Sequence, residues 1–195
     1  FQRMGECIMP TNGVFAKVLH GGKISVGDEF RVQYRAAVIT LSDTASKGER
    51  EDASGAAVEE IVGKEGYEVV LKKIIPDDGD TLTALLCELS DEDKADLILT
   101  TGGTGFSKRD NTPEATMRAV ERETPGISEA MRYYSLQITP RAMLSRGVSG
   151  IRKEALIVNL PGSPKAVAES LTYILSSLGH GLDILLGEDG ECARK

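Results

Sequence analysis

A glycine-rich loop near the middle of the chain carries the residues best suited to hold a phosphate group. The sequence Thr101-Gly102-Gly103-Thr104-Gly105 follows the apolar run 95–99, which is typical of a buried parallel strand. Glycines let a backbone turn sharply and approach a ligand, and the free N–H groups of such a loop favour an anion. Lys108, Arg109 and Asp110 then add two cations and one candidate metal ligand. This stretch therefore predicts a phosphate site between a strand and a helix.

Acidic and hydroxyl residues follow two other predicted strands. Ser42, Asp43, Asp52 and Ser54 come after the apolar run 36–41, and Asp77 comes after the strand pattern 67–75. In open α/β sheets, ligands bind outside the carboxyl ends of the strands. Carboxylates repel phosphates unless a divalent cation lies between them, and Mg²⁺ is bound in this way by carboxylates together with substrate phosphates. The pattern indicates nucleotidyl or phosphoryl transfer, although Ser42, Asp43 and Asp52, taken singly, are more often cap or turn residues.

A second strand-to-helix loop follows the apolar run 154–160. It contains Pro161, Gly162, Ser163 and Lys165, with Ser163 placed to cap the last helix. Ser145 and Arg146 lie in a glycine-interrupted segment just before that strand. We expect both groups to reach the same edge of the sheet as the first glycine loop.

Between residues 35 and 187, strand and helix patterns alternate. This alternation predicts a doubly wound, mostly parallel α/β domain with four strands, each followed by a polar loop and a helix. We expect strands at 36–41, 67–75, 95–99 and 154–160, and an extended segment at 143–152. We expect helices at 54–64, after a cap at Asp80, from Pro113 to about Glu123, at 127–138 and from Pro164 onward.

Residues 1–34 have a different character. Two alternating segments flank the Gly21-Gly22 turn, which indicates a β-hairpin that is too short to bury a core of its own. Lys17-Val18-Leu19, Gly21-Gly22 and Val26-Gly27-Asp28 resemble the closing strands of a MOSC domain, the module of molybdenum-cofactor sulfurases. A hairpin packed on the main domain and a remnant of a MOSC domain both remain open. We expect residues 188–195 to form a mobile tail.

The composition excludes several classes of protein. The 195 residues carry a formal net charge of −7, which argues against a general binder of nucleic acid or of acidic membranes. The sequence contains neither a membrane-spanning apolar run nor a signal-peptide pattern, so we expect a cytoplasmic protein. Its three cysteines and two histidines are too widely spaced for a disulfide framework, a zinc site or a catalytic triad.

Common nucleotide-binding motifs do not account for the glycine loop. It lacks the Gly-x-x-x-x-Gly-Lys-Ser/Thr pattern, and it does not fit the dinucleotide-binding glycine fingerprint at the first strand. The loop through residues 99–116 resembles the molybdopterin adenylyltransferase family, the family of the gephyrin G domain. The same resemblance extends to Ile75-Pro76-Asp77, Ser42-Asp43-Thr44, 52–55, 142–146 and 159–164, in the family's order and spacing. It covers the chain from about Arg35 to Gly187.

The resemblance implies an activity and a set of roles. The terminal phosphate of molybdopterin would attack the α-phosphorus of ATP with Mg²⁺ present, giving adenylyl-molybdopterin and pyrophosphate. By position, Asp77 and Asp110 match the two catalytic aspartates that hold Mg²⁺ and position ATP, while Thr101, Gly102, Gly103, Thr104 and Gly105 match the cradle of the substrate phosphate. The residues that match further pterin and phosphate contacts are Ser145, Arg146, Pro161, Gly162, Ser163 and Lys165. Ser42, Asp43, Asp52 and Ser54 are candidates for nucleotide binding.

The resemblance also implies a fold and partners. The family fold is a three-layer α/β domain that assembles as trimers, sometimes as hexamers, and a molybdate-insertion enzyme is an expected partner. Two alternatives to adenylyl transfer remain open. One is a molybdopterin-binding carrier or scaffold without catalysis, which the presence of both aspartates disfavours. The other is a molybdate-insertion enzyme, whose domain of the same fold also carries a glycine-glycine-threonine loop.

Overall fold

The computed structural model describes residues 22–23, 25–26 and 33–187. The chain divides into two units, residues 1–32 and 33–195. The predicted domain boundary after residue 34 stays a prediction. The expected hairpin at 1–34 lies largely outside the described residues, and the expected tail at 188–195 lies wholly outside them.

In the described part of the second unit, six strands form one sheet with the order β2-β1-β3-β6-β5-β4. Its strands are β1 (Arg35–Leu41), β2 (Glu68–Ile75), β3 (Leu97–Thr101), β4 (Arg122–Glu123), β5 (Ser149–Arg152) and β6 (Ala155–Leu160). Four strands, β2, β1, β3 and β6, are parallel, whereas β5 pairs antiparallel with both β6 and β4. The prediction of a mostly parallel sheet is confirmed. Strand β4 was missed, whereas β5 lies within the segment 143–152 that was predicted to be extended.

Within residues 33–187, five α-helices and one 3₁₀ helix lie between strands, and a sixth α-helix follows the last strand. The α-helices are α1 (Asp43–Ser46), α2 (Ala53–Lys64), α3 (Gly79–Asp91), α4 (Thr112–Ala119), α5 (Pro125–Leu136) and α6 (Pro164–Leu185), and the 3₁₀ helix covers Pro140–Leu144. Within these described residues, no helix has both the length and the apolar character needed to cross a membrane.

The helices cover both faces of the sheet. Side chains of β1 alternate between two apolar clusters: Ala36 and Val38 face the cluster that contains residues of α2, α5 and α6, while Ala37 and Ile39 face residues of α3 and α4. A strand buried on both faces is apolar at nearly every position, as β1 and β3 are. The predicted three-layer arrangement is therefore confirmed.

Helix α5 covers Pro125–Leu136 rather than 127–138, and three other helix termini also differ from the prediction. Helix α3 is capped by Asp78, whose side chain accepts a hydrogen bond from the backbone N–H of Thr81, and not by Asp80. Helix α4 ends at Ala119 rather than near Glu123, because Val120 adopts an extended conformation and leads into β4. Ser163 occupies the N-cap position of α6 as expected, but its side chain makes no capping hydrogen bond.

Candidate functional site

The loops that follow the parallel strands meet at one edge of the sheet. The last residues of β1, β3 and β6 are held level by their pairing, since Thr40 lies opposite Thr101 and Thr101 lies opposite Leu160. The pairing of Leu41 with Ile75 brings the end of β2 to the same edge. The predicted loops that follow β1, β2, β3 and β6 therefore start at this edge, whereas Ser145 and Arg146 lie in the segment before β5.

The glycine loop needs its glycines at two positions. Gly102 has a φ of 99° and Gly103 a φ of 65°, both in the region that side chains disfavour. A Cβ atom on Gly102 would collide with the carbonyl oxygen of Leu41, and one on Gly103 would collide with Oγ1 of Thr112. Thr112 Oγ1 in turn donates a 2.9 Å hydrogen bond to the carbonyl of Gly102. The loop is therefore folded tightly between β1 and the first turn of α4.

The two strand-to-helix loops are joined to each other. Thr101 Oγ1 donates to the carbonyl of Pro161 at 2.6 Å, and Ser54 Oγ donates to the carbonyl of Gly162 at 2.7 Å. A Cβ atom on Gly162 would lie 3.4 Å from Cα of Gly102. These contacts join the loop that follows β3 to the loop that follows β6.

The carboxylates form a cluster beside these joined loops. Asp43 and Asp77 bond reciprocally: the Asp43 N–H donates to Asp77 Oδ2 at 3.3 Å, and the Asp77 N–H donates to Asp43 Oδ1 at 3.2 Å. Arg109, from the far end of the glycine loop, pairs with the Asp43 carboxylate. The structure therefore brings Asp43, Asp77 and the glycine loop together.

The charges around Asp77 change its proton affinity. Burial raises the pKa of Asp77 above its ordinary value, and the negative charges of Asp43 and Asp110 raise this pKa further. The hydrogen bond from the Asp43 N–H and the positive charge of Arg109 lower it. The net pKa of Asp77 is raised. A carboxylate disfavoured by burial and by like charges is stabilised when a cation binds beside it.

Asp110 is fixed by its own loop. Its Oδ2 accepts a 2.9 Å hydrogen bond from the backbone N–H of Ser107, and its backbone N–H donates to the carbonyl of Ser107 at 3.0 Å. Phe106, Ser107, Lys108 and Arg109 are all exposed, whereas Asp110 is half-buried. The carboxylate is therefore held at the inner side of an exposed turn.

Two of the candidate nucleotide-binding residues are engaged in structural bonds. Asp52 caps α2 by accepting from the Gly55 N–H at 2.8 Å, and its other oxygen accepts from Thr40 Oγ1 at 2.8 Å. Ser42 caps the short helix α1 by accepting from the Ala45 N–H. The capping alternative raised by the sequence is thus the observed arrangement at both positions.

Two cavities flank the joined loops. The larger, of about 240 Å³, is mostly apolar and lies between α5, α6 and the 3₁₀ helix, with Ser145, Asn159 and Pro161 in its wall. The smaller, of about 120 Å³, is more polar, and its lining includes Ser42, Asp52, Ser54, Thr101, Gly102 and Gly162. Ser163 and Lys165 are exposed at the start of α6.

The carboxylate cluster is not a complete protein-made metal cage. Among the described residues, no three His, Cys, Asp or Glu side chains are grouped so that they could hold a metal ion. Asp77 and Asp110 nevertheless fit Mg²⁺, because this ion keeps several waters and commonly takes only one or two carboxylates plus substrate phosphates.

Sequence reasoning missed several residues that organise this edge. The buried amide of Asn159 donates to Thr100 Oγ1 and to Thr116 Oγ1, both at 2.9 Å, and its oxygen accepts from the Val148 N–H. The β6 sequence showed a polar residue in an apolar run, which was the available signal. Its partners lie far away along the chain and could not be named from the sequence.

Comparison with known proteins gives this arrangement a family. The model of the family "probable molybdopterin binding domain" matches residues 37–180, which is most of the chain. The chain belongs to this family. The molybdopterin adenylyltransferase of Helicobacter pylori strain J99 is 41% identical over 156 residues, covering 77% of this chain and 86% of that protein. The molybdopterin adenylyltransferase of Escherichia coli K12 is 43% identical over 149 residues, covering 75% of this chain and 76% of that protein.

Solved structures of the molybdopterin-binding family share the fold. The molybdopterin biosynthesis enzyme MoaB of Thermus thermophilus superposes with a TM-score of 0.75 at 43% identity, covering 80% of this chain and 98% of that one. The tungsten cofactor synthesizing protein MoaB of Pyrococcus furiosus superposes with a TM-score of 0.72 at 35% identity. The family and fold inferred from the sequence are therefore confirmed, while the likeness of the N-terminal segment to a MOSC domain stays a prediction.

Proposed function

We propose that this chain transfers the adenylyl group of ATP to the terminal phosphate of molybdopterin. An oxygen of that phosphate attacks the α-phosphorus of ATP, the bond between the α-phosphorus and the bridging oxygen breaks, and pyrophosphate leaves. The observation that carries the proposal is the placement of Asp77 and Asp110 beside a glycine loop at the carboxyl edge of the sheet. Relatives named molybdopterin adenylyltransferase at 41% and 43% identity support it.

The pterin substrate is assigned to the side of the site that faces α5 and α6. The larger cavity has mostly apolar walls that suit a flat ring system, and Ser145 and Pro161 border it. The terminal phosphate then lies against Thr101–Gly105, whose backbone N–H groups suit an anion. We assign Gly162, Ser163 and Lys165, in the loop that follows β6, to the remaining contacts with this phosphate.

The nucleotide is assigned to the opposite side, near the ends of β1 and β2. Ser42 and Asp43 line the approach to Asp77, and the smaller polar cavity lies beside them. Asp52 and Ser54 shape this cavity through the bonds that they make to Thr40 and Gly162. We therefore assign Asp52 and Ser54 an indirect role in nucleotide binding, in which they fix the walls of the smaller cavity.

The charges explain why a metal ion belongs in the reaction. A carboxylate about 4 Å from a phosphate charge costs on the order of 4 kcal/mol at an effective dielectric constant of 20. Two such carboxylates are tolerated when a cation lies between, and Mg²⁺ held by Asp77 and Asp110 would supply that neutralisation. The attacking phosphate is already ionised at pH 7, so the reaction needs no histidine as general base.

We also propose that the chain assembles as a trimer or hexamer and delivers its product to a molybdate-insertion enzyme. An apolar groove between α5 and α6, bordered by Ile127, Tyr173 and Ile174, is consistent with contact between copies. Light scattering on the purified protein measures the assembly, and a monomer would contradict it.

The test of the function is to incubate the purified chain with ATP, Mg²⁺ and molybdopterin and to identify the products by mass spectrometry. Adenylyl-molybdopterin together with an equal amount of pyrophosphate is expected. Molybdopterin binding without product would identify a carrier, and turnover that requires molybdate and pre-adenylylated pterin would identify an insertion enzyme. Either of these results would overturn the proposal.

A further inference from the structure

The family resemblance implies that Arg146 contacts substrate, and the structure shows that its side chain also bonds to the glycine loop and to α4. Its Nε donates to the carbonyl of Gly105 at 2.7 Å, and its Nη2 donates to the carbonyl of Asp110 at 2.5 Å. Its Nη1 pairs with the carboxylate of Glu114 in the first turn of α4. Each of the three nitrogens of the guanidinium group therefore has a protein acceptor.

The backbone of Arg146 adds a fourth tie, because its N–H donates to the carbonyl of Thr104 at 2.9 Å. Residue 146 is thus bonded at Thr104, Gly105, Asp110 and Glu114, which bracket the exposed turn 106–109. An arginine fork is rigid and planar, so these bonds fix the spacing between the two ends of the turn.

The segment that carries Arg146 is itself anchored to the sheet. Arg132 from α5 donates to the carbonyl of Gly147 at 2.8 Å, and the Val148 N–H donates to the side chain of Asn159 in β6. Ser145 and Gly147 face the larger cavity, while Arg146 between them reaches to Asp110. The segment 145–147 therefore both lines the cavity that we assign to the pterin and holds the turn 106–109 in place through Arg146.

We propose that Arg146 and Glu114 form a clasp that positions Asp110 for the adenylyl transfer proposed above. Both are positioning residues, since they act on the turn that carries Asp110 rather than on a substrate. Burial alone would raise the pKa of Glu114, whereas its hydrogen bond with Arg146 lowers it, which agrees with a carboxylate that stays charged within the clasp.

The first test uses the protein without substrates and so does not depend on the proposed function. Trypsin cleaves after Lys108 or Arg109 only when the turn opens, and Arg146→Lys leaves the number of trypsin sites unchanged. A lysine cannot reproduce the fork, so we expect native-state cleavage of R146K to be at least about tenfold faster than that of the wild type. Glu114→Gln is also expected to make trypsin cleavage of the turn faster than in the wild type.

Arg152→Lys is the matched control. Arg152 donates two hydrogen bonds to the carboxylate of Asp91 and one to the carbonyl of Ala119. It therefore makes the same kinds of bond as Arg146, but it does not contact the turn 106–109. R152K is expected to lower overall stability without speeding cleavage in the turn. Cleavage of R146K at the rate of R152K or of the wild type would overturn the clasp.

The second test separates a clasp from a substrate contact. With ATP, Mg²⁺ and molybdopterin, we expect R146K to lower kcat at least about tenfold while changing the Kd of molybdopterin less than about threefold. Combining R146K with E114Q should add little, since both break one unit. A raised molybdopterin Kd, with trypsin cleavage unchanged and E114Q silent, would assign Arg146 to substrate binding instead. If the wild type makes no product, the proposed function fails, but the cleavage rates still decide the clasp.

Discussion

Replacing Gly102 with alanine should destabilise the folded protein more than a glycine-to-alanine change elsewhere in the glycine loop. The residue holds a φ of 99°, which costs a residue with a side chain on the order of 1–3 kcal/mol. The new Cβ atom also meets the carbonyl oxygen of Leu41, which is backbone at the end of a buried strand and cannot rotate away. Relieving that overlap costs a further 1–3 kcal/mol or so. We therefore expect Gly102→Ala to lower the free energy of unfolding by about 4 kcal/mol.

The assay is urea unfolding followed by circular dichroism, with thermal unfolding alongside. For a domain of this size, about 4 kcal/mol corresponds to a fall in Tm of roughly 10 °C. Gly63→Ala is the matched control, because Gly63 lies exposed within α2 and nothing surrounds its Cβ position. That change should raise stability by roughly 0.5–1 kcal/mol. A G102A protein as stable as the wild type would refute the described loop conformation.

Two further changes test other contacts. Asp52→Ala removes the cap of α2 and leaves Thr40 without its carboxylate partner, so we expect a loss of about 2 kcal/mol in urea unfolding; a loss below about 0.5 kcal/mol would contradict these bonds. Burial raises the pKa of Tyr67 to about 12, so the folded state keeps this proton where the unfolded state loses it, and stability falls as pH rises above 10. Phenylalanine does not ionise, so between pH 9 and pH 11 the free energy of unfolding of Tyr67→Phe should rise by about 1 kcal/mol relative to that of the wild type. If the stability difference between the two proteins is the same at both pH values, the pKa of Tyr67 is not raised.

The central α/β pattern could be predicted because its signals are local. Apolar runs such as 36–41 and 95–99 form strands that are buried on both faces. Gly102 and Gly103 directly follow the strand formed by the second run, and the positive φ angles of the loop require glycine at both positions. The placement of Asp77 and Asp110 at one edge followed from the rule that parallel strands end together.

The antiparallel end of the sheet could not be predicted in the same way. Strand β4 has two residues and β5 has four, which is too short for an alternating pattern to be distinguished from a loop. The end of α4 was placed too late for the same reason, since nothing local shows that residues 122–123 pair with β5. Pairing between distant segments decided these elements.

Distant partners also limit what the sequence shows of the site. Arg146 lies 36 residues from Asp110 in sequence, so its bonds to the loop could not be predicted, and the substrate contact that the resemblance implies for it stays a prediction. Asp78 and Asp80 are both plausible caps for α3, and only the backbone conformation of Asp78 selects it. The substrate roles assigned to Ser163 and Lys165 stay predictions.

The most direct test of the account compares the wild type with Asp110→Asn. Adenylyl-molybdopterin is measured under saturating ATP, Mg²⁺ and molybdopterin, and molybdopterin binding is measured separately by fluorescence. We expect the wild type to form the product and Asp110→Asn to form none, with the Kd of molybdopterin nearly unchanged, because we propose that this carboxylate binds the metal ion of the nucleotide. Formation of the product by the variant at the wild-type rate would contradict the assignment.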